Sequence, residues 1–455
     1  MNQSNFQRAN TLKSAYNACT LEPLKPAEIS KYYVDLSAVR KSSAVEGVST
    51  ILDFQESGDY TTILFTGHRG SGKSTELKKI QSQWEQNYHV IYLEVNEETD
   101  INDANYTDLY LIVIKQVEFA LRKLGLKFDQ KLLNRFENWF KEITKENEES
   151  VEKSVSVESE ASLEGGAPFI AKLMVKLLAQ IKGSDKQKTT IRQTLEKDIS
   201  RLKADINLLL DDAYSKLRKK YPNYKGLLII FDNLDRVPPT VADHLFFDYA
   251  AQLQQLRCTI IYTVPISILC SPRKPLALFD GQLQIVPMVN IYQFDRNVRD
   301  LNYNQIGLDA IASLIEKRVD VDAVFNSRQE LLELAKASGG YPRQIMQMMR
   351  TSCIQAKIKN HSKIETEDIV YAVKEQQFSF ERFIPEEHYP VLAQVYLNKN
   401  VSKDDIGQLM LFNTSVLVYN DDNQWNYPNP VVMQTEFFKK ALADITYNLI
   451  LMPKN

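Results

Sequence analysis

Residues 67–75 read Gly67-His68-Arg69-Gly70-Ser71-Gly72-Lys73-Ser74-Thr75. The run before it, Thr61-Thr62-Ile63-Leu64-Phe65-Thr66, is short, β-branched and apolar, which predicts a buried strand. Residues 76–86 are strong helix formers with Leu77, Ile80 and Trp84 on one face. Strand, glycine-rich turn and helix follow in the order a phosphate-binding loop requires. Gly67, Gly70 and Gly72 let the backbone turn with its N–H groups inward, where side chains would collide with phosphate. The helix start adds partial positive charge. Lys73 would reach the β- and γ-phosphates of a nucleotide, and the Ser74 hydroxyl would ligate Mg²⁺. The bland alternative is a chance glycine-rich turn; the full pattern in this context outweighs it.

The rest of the composition sets bounds. A chain of 455 residues is long enough for two or three domains. Its 44% hydrophobic and 25% charged content is ordinary for a globular protein, and a net charge of −3 does not make the whole chain a basic nucleic-acid binder. Cys19, Cys258, Cys270 and Cys353 are scattered with no C-x-x-C pair, as expected of reduced thiols. The polar N-terminus and the absence of any run long enough to span a membrane give the cytoplasm as the expected compartment.

Outward from the loop, residues 1–20 read as a flexible N-terminus and residues 39–54 as a helix before the first strand. Tyr32 or Tyr33 would stack near a nucleotide base or serve as an ordinary tyrosine. Strands are predicted at 89–95, 226–232, 259–264 and 283–291. Helices between them imply a parallel sheet covered on both faces. A helical insertion occupies about residues 100–225. It includes an acidic, serine-rich stretch (142–164), a helix at 169–181 that either lies on a membrane surface or packs on its neighbour, packing being favoured, and one long charged helix at 189–221. Helices at 310–318, 328–337, 342–359 and 365–376 follow. Residues 377–455 read as helices around a hairpin with Asn420-Asp421-Asp422-Asn423 at its tip, the pattern of a winged helix. The expected domains are therefore a P-loop core at 21–295, a helical lid at 296–376 and a winged-helix-like domain at 377–455.

Other residues complete the expected site. Asp232 ends the apolar run Leu227-Leu228-Ile229-Ile230-Phe231, where a carboxylate would hold the Mg²⁺ shell beside Ser74. Asp235 would orient or deprotonate an attacking water, or cap the next helix. Many hydrolysing P-loop proteins carry Glu directly after the metal-binding Asp; here Asn233 stands there, so either Asp235 takes the base role or turnover is slow. Thr263 would sit beside the γ-phosphate, or close its strand as a satisfied threonine. Arg343 follows Gly339-Gly340-Tyr341-Pro342 at a helix start and would project towards phosphate, coupling nucleotide to lid angle.

The order of Gly67–Thr75, the 229–235 strand end, Thr263 and Gly340–Arg343, with a helical lid and winged-helix-like tail, resembles the AAA+ superfamily. Within it, the pattern is similar to the branch of origin-recognition and Cdc6-like ATPases and STAND NTPases. The resemblance implies ATP bound between core and lid, phosphate and Mg²⁺ held by Gly70 to Thr75, Asp232 as the metal residue, and Thr263 and Arg343 as first and second sensors. It also implies a homo-oligomer in which a neighbour's arginine reaches the γ-phosphate, with Arg273 as candidate. Three functions compete: an ATP-driven switch acting on a protein partner, a DNA-binding initiator or loader, and a small-molecule kinase. A lid arginine with a winged helix is not a kinase layout. Acids outnumber basic residues after residue 376, and Asp421 and Asp422 at the wing tip would repel phosphate. DNA binding is thus disfavoured, though the Lys-rich stretches 186–188 and 216–220 leave it open.

Overall fold

The computed structural model describes residues 7–145, 169–183, 185–271, 273, 278–279 and 282–451. Most of the acidic stretch expected at 142–164 lies outside them. Five strands form one parallel sheet in the order β2-β3-β4-β1-β5: β1 Thr62–Gly67, β2 Tyr88–Glu94, β3 Gly226–Asp232, β4 Thr259–Pro265 and β5 Leu283–Val286. Side chains alternate across it. Ile63, Phe65, Leu228, Ile230 and Ile261 face the helices Ala44–Phe54 and Lys73–Trp84. Leu64, Ile229, Phe231, Ile260 and Tyr262 face the inserted helices. The sheet is therefore buried on both faces, as its continuous apolar strands require.

The insertion lies between β2 and β3, which are nevertheless paired over their full length, Tyr88 opposite Gly226 through Glu94 opposite Asp232. Helix Tyr106–Lys123 is its centre, closed at its start by an Asn105–Asp108 capping box. Helix Phe169–Gly183 packs on it through Leu173, Met174, Leu177 and Leu178, the packing reading of that segment. The long helix expected at 189–221 is two, Asp185–Lys197 and Ile199–Lys220. Asp198 breaks it, because its carboxylate caps the second helix at the Arg201 amide and also accepts from the Trp139 ring N–H. The helix expected at 39–54 is likewise split, into Ser37–Arg40 and Ala44–Phe54, with Lys41 left-handed between them.

Two other expectations change. The N-terminal stretch is not loose where it is described: Thr11 caps helix Leu12–Ala18, Ala15 and Cys19 are fully buried, and Ala9 bridges Val319. This helix packs on Pro342–Ile358, and Arg350 lies 3.7 Å over the Tyr16 ring. β5 also stops at Val286 instead of reaching Ile291. Beyond it the chain leaves the sheet because its amides find other carbonyls: Met288 N–H donates to Val418 and Val289 N–H to Gly340.

Helices Gln305–Glu316, Arg328–Ala337, Pro342–Ile358 and Thr366–Glu381 follow, then Tyr389–Asn398, Asp405–Phe412, the antiparallel hairpin β6 Val416–Asn420 and β7 Gln424–Pro428, and helix Glu436–Leu451. This is the helix–hairpin–helix order expected of a winged-helix-like tail. The hairpin is not a free wing. Tyr419 and Trp425 are buried, stack at 4.6 Å, and pack with Tyr292 and Phe294 of the segment leaving β5. Full burial of each such ring is worth about 1.5–3 kcal/mol. At the tip Asp421 pairs with Lys41 of the core. Of the two tip acids expected to repel phosphate, Asp421 is thus paired with the core and Asp422 is fully exposed.

Candidate nucleotide site

At the carboxyl ends of β1 and β3 a cleft encloses about 960 Å³ of empty space, solvent included. Ligands of open parallel sheets bind at this edge. Its floor is Arg69 to Glu76. One wall is the lead-in, Thr20 to Leu24 with Tyr32 and Tyr33; another is the lid, Leu314, Arg318, Pro342, Arg343 and Met346; the third is Asn233, Asp235 and Arg236.

The loop has the backbone the sequence calls for. Gly70 has φ 85° and Gly72 φ 104°, values an L side chain rarely adopts. A Cβ on Gly70 would also lie 2.6 Å from the Arg343 Cβ, so a glycine there lets the start of helix Pro342–Ile358 lie against the loop. Lys73 Nζ, buried, donates to the carbonyls of Gly67 (2.7 Å) and His68 (2.8 Å) and pairs with Asp235 at 2.8 Å. Ser71 Oγ is buried without a hydrogen-bond partner, and Ser74 lines the cleft. Leu24 N–H donates to Thr75 Oγ1, fastening the lead-in to the helix start.

Of the expected residues, Gly70 through Thr75, Asp235 and Arg343 meet in this cleft. Gly67 lies at its back, lining a second cleft. Asp232 is 1% exposed, one layer behind the wall; Tyr92 OH donates to its Oδ2 at 2.5 Å and the Asn233 amide to its Oδ1 at 2.8 Å. Burial first, then the charge of Asp232, holds the Tyr92 hydroxyl far above its ordinary value. Thr263 is also behind the wall. Its hydroxyl donates to the Phe231 carbonyl and accepts from the amides of Leu234 (2.9 Å) and Asp235 (3.3 Å), so it shapes the turn that presents Asp235. Asn233 makes that turn possible, at φ 66° in the left-handed region that asparagine tolerates, while donating to Glu94. Arg273 stands apart, paired with Asp248 at 2.5 Å over the Phe247 ring.

Sequence reasoning missed three residues. Arg40, 4% exposed, donates to the Ser71 carbonyl at 2.5 Å and pairs with Glu76 at 3.5 Å; Tyr33 OH donates to the same carboxylate at 2.9 Å. Burial dominates both charges, lowering Arg40 and raising Glu76 against their mutual attraction. Arg318 lies 5.0 Å over Tyr32 and donates to the Leu314 carbonyl. His68, inside the loop, is fully buried. Its Nδ1 lies 3.1 Å from the Leu411 carbonyl and the Val418 amide donates to Nε2 at 2.9 Å, which assigns the proton to Nδ1. Burial, then Lys73, pushes its pKa down to about 3. A histidine between two loop positions was the only signal in the sequence for this last contact.

Residues 42–251 match the model of the KAP family P-loop domain, a span that holds the loop, the insertion and β3. Residues 42–251 are therefore similar to a P-loop NTPase domain. The chain's motif set, from Gly67–Thr75 to Gly340–Arg343, resembles AAA+ ATPases of the Cdc6 and origin-recognition kind. No curated protein sequence matches the chain. Among solved structures, it is similar to a Walker-type ATPase of Pyrococcus abyssi (12% identity, 94% of this chain and 99% of that one, TM-score 0.42). It is also similar to the Aeropyrum pernix ORC2 protein solved as ADPNP–ADP complexes (11%, 97% and 99%, 0.39) and to Cdc6p from Pyrobaculum aerophilum (10%, 95% and 98%, 0.37). Among the described residues no helix is long and apolar enough to cross a membrane.

Proposed function

We propose that this chain is an ATP-binding and ATP-hydrolysing switch, AAA+/STAND-like in layout, that controls or assembles a protein partner and works as a homo-oligomer. One observation carries the nucleotide reading: the loop residues Gly70 to Thr75, with Lys73 among them, Asp235 and Arg343 line one cleft that the lead-in also walls. The donor set fits a triphosphate: Ser71, whose buried Oγ has no other partner, and Lys73 both line the cleft. Mg²⁺ fits less directly: Ser74 reaches the cleft, and Asp232, already holding Tyr92, would act through water. When bound, the metal would neutralise charge on the β- and γ-phosphates. Lys73 would leave Asp235 for phosphate, and the freed carboxylate would take a proton from the attacking water. The domain division at 296 and 377 belongs to the same reading: core and lid close on nucleotide while the tail reports it.

The protein-facing part rests on charge and on the docked wing, whose Tyr419 and Trp425 are buried against Tyr292 and Phe294. Calorimetric titration of ATP into Lys73→Ala tests the nucleotide part; affinity should fall about 100-fold, the loss of charge-assisted phosphate contacts. An unchanged affinity would mean that the loop does not hold triphosphate. Light scattering with an ATP analogue and duplex-DNA anisotropy across a salt series test the rest. Self-association should respond to nucleotide, and steep salt-dependent DNA binding stimulated by ATP would sink the partner reading.

A further inference from the structure

The cleft holds more positive charge than its acids offset. Arg69 comes from the loop, Arg236 from the turn after β3 and Arg343 from the lid, and all three line the cleft beside Lys73. Asp235 is engaged by Lys73, and Glu76 by Arg40 and Tyr33. Among the described residues none of the three guanidinium groups makes an ion pair. Arg69 is held below its ordinary value by burial, then by Arg236 and Arg343. The cluster is fixed by backbone, not by long flexible stems alone. Tyr341 OH donates to the Arg69 carbonyl at 2.6 Å, and the Arg343 amide donates to the Gly70 carbonyl at 3.3 Å. Arg236 directly follows the Asp235 that Thr263 pins. The same three arginines also line the second cleft, of about 1120 Å³, so they form a partition at the end of the nucleotide floor. Like charges gathered from three chain segments next to a phosphate loop are stabilised by an anion there.

We infer that Arg69 and Arg236 read the γ-phosphate in cis, as positive contacts that distinguish ATP from ADP, so that no neighbouring copy must donate an arginine. This rests on the nucleotide reading above. In the step they serve, a water oxygen bonds to the γ-phosphorus and the bond from that phosphorus to the bridging oxygen breaks. The bond's electron pair stays on ADP, and the water proton passes to Asp235. The two guanidinium groups offset the charge carried by the transferring phosphoryl oxygens.

The test uses the full chain with Arg69→Gln, Arg236→Gln and their Lys counterparts, titrated with Mg²⁺–ADPNP and with Mg²⁺–ADP, alongside Lys73→Ala. Each Gln variant should lose about 10- to 100-fold in ADPNP affinity, the range of one charge-assisted hydrogen bond, with ADP within about twofold of the parent. The Lys variants, which keep charge without the planar fork, should fall between and stand in if a Gln variant does not fold. The preference for ADPNP over ADP should persist at dilutions where light scattering shows a monomer, as an intramolecular contact requires. Unchanged discrimination in both sets of variants, or a preference that is lost in the monomer, overturns the proposal. If Lys73→Ala binds both nucleotides as the parent does, the nucleotide reading itself fails. If Lys73→Ala loses them while the arginine variants behave as the parent, only this inference fails.

Discussion

The nine residues of the phosphate loop fall into two halves with opposite habits. At the first, His68 has both ring nitrogens hydrogen-bonded to the C-terminal tail, is fully buried and stays neutral. At the second, Ser71 Oγ has no partner, Lys73 is folded back on two carbonyls, and Arg40 and Arg343 crowd in. Both halves are buried and polar, but only the second leaves a hydroxyl open beside surplus positive charge. A satisfied buried polar group reports packing, whereas an open hydroxyl among cationic side chains suits an anion. The first half is a joint and the second a receptor.

That division can be broken at graded cost. The largest effect is expected at the receptor's far wall. Asp235→Asn should cut turnover about 100-fold or more, typical of a lost general base, with ATP affinity within a few fold of the parent. Single-turnover hydrolysis checks it, and a parental rate would make Asp235 a structural residue only. At the joint, His68→Ala strips a buried acceptor and donor at once and should cost about 2–3 kcal/mol of stability. Hydrogen exchange should show the Val418 amide deprotected. ATP affinity should move less than stability does, and the reverse would dissolve the distinction between joint and receptor.

Acid should act on the joint too. The folded pKa of His68, about 3, lies below the ordinary value of 6.5, so the unfolded chain binds the extra proton between those pH values. Its contribution is complete above about pH 6.5 and shrinks as pH falls, by up to about 1.4 kcal/mol per unit. Denaturation midpoints of the parent and of His68→Gln should therefore converge towards pH 4; parallel curves would place the proton elsewhere. The smallest effect is expected at Lys41→Ala. Its pair with Asp421 is half exposed, so solvent screening leaves little to lose, and both midpoint and ATP affinity should hardly change.

Local signals were legible in the sequence. The loop, its strand and the apolar run ending at Asp232 each announce themselves within ten residues, because glycine geometry and strand burial are short-range requirements. Parallel order follows from the alternation of elements. What stayed hidden is set by contacts between distant segments. Nothing near Arg40 marks it as the partner of the Ser71 carbonyl 31 residues away, nor His68 as a bond to Val418 at a separation of 350. Thr263 was placed on the right strand end, but a sequence does not show which way a hydroxyl turns. Here the amides of Leu234 and Asp235 claim it. Asp198 was read as mid-helix because a capping carboxylate and a surface one look alike until the chain folds.

The strap at the start of the chain has a consequence for how the molecule is made. Tyr16 meets Arg350 across a separation of 334 residues. At a ribosomal pace of about 5–20 residues per second, the apolar face of helix Leu12–Ala18 waits roughly 17–67 s for its partner. All five sheet strands are synthesised well before then, since β5 ends at Val286. The lead-in wall of the cleft is braced only when the Pro342–Ile358 helix emerges, and the His68 contacts to Leu411 and Val418 come later still, so the sheet is complete in sequence before the phosphate loop has its partners.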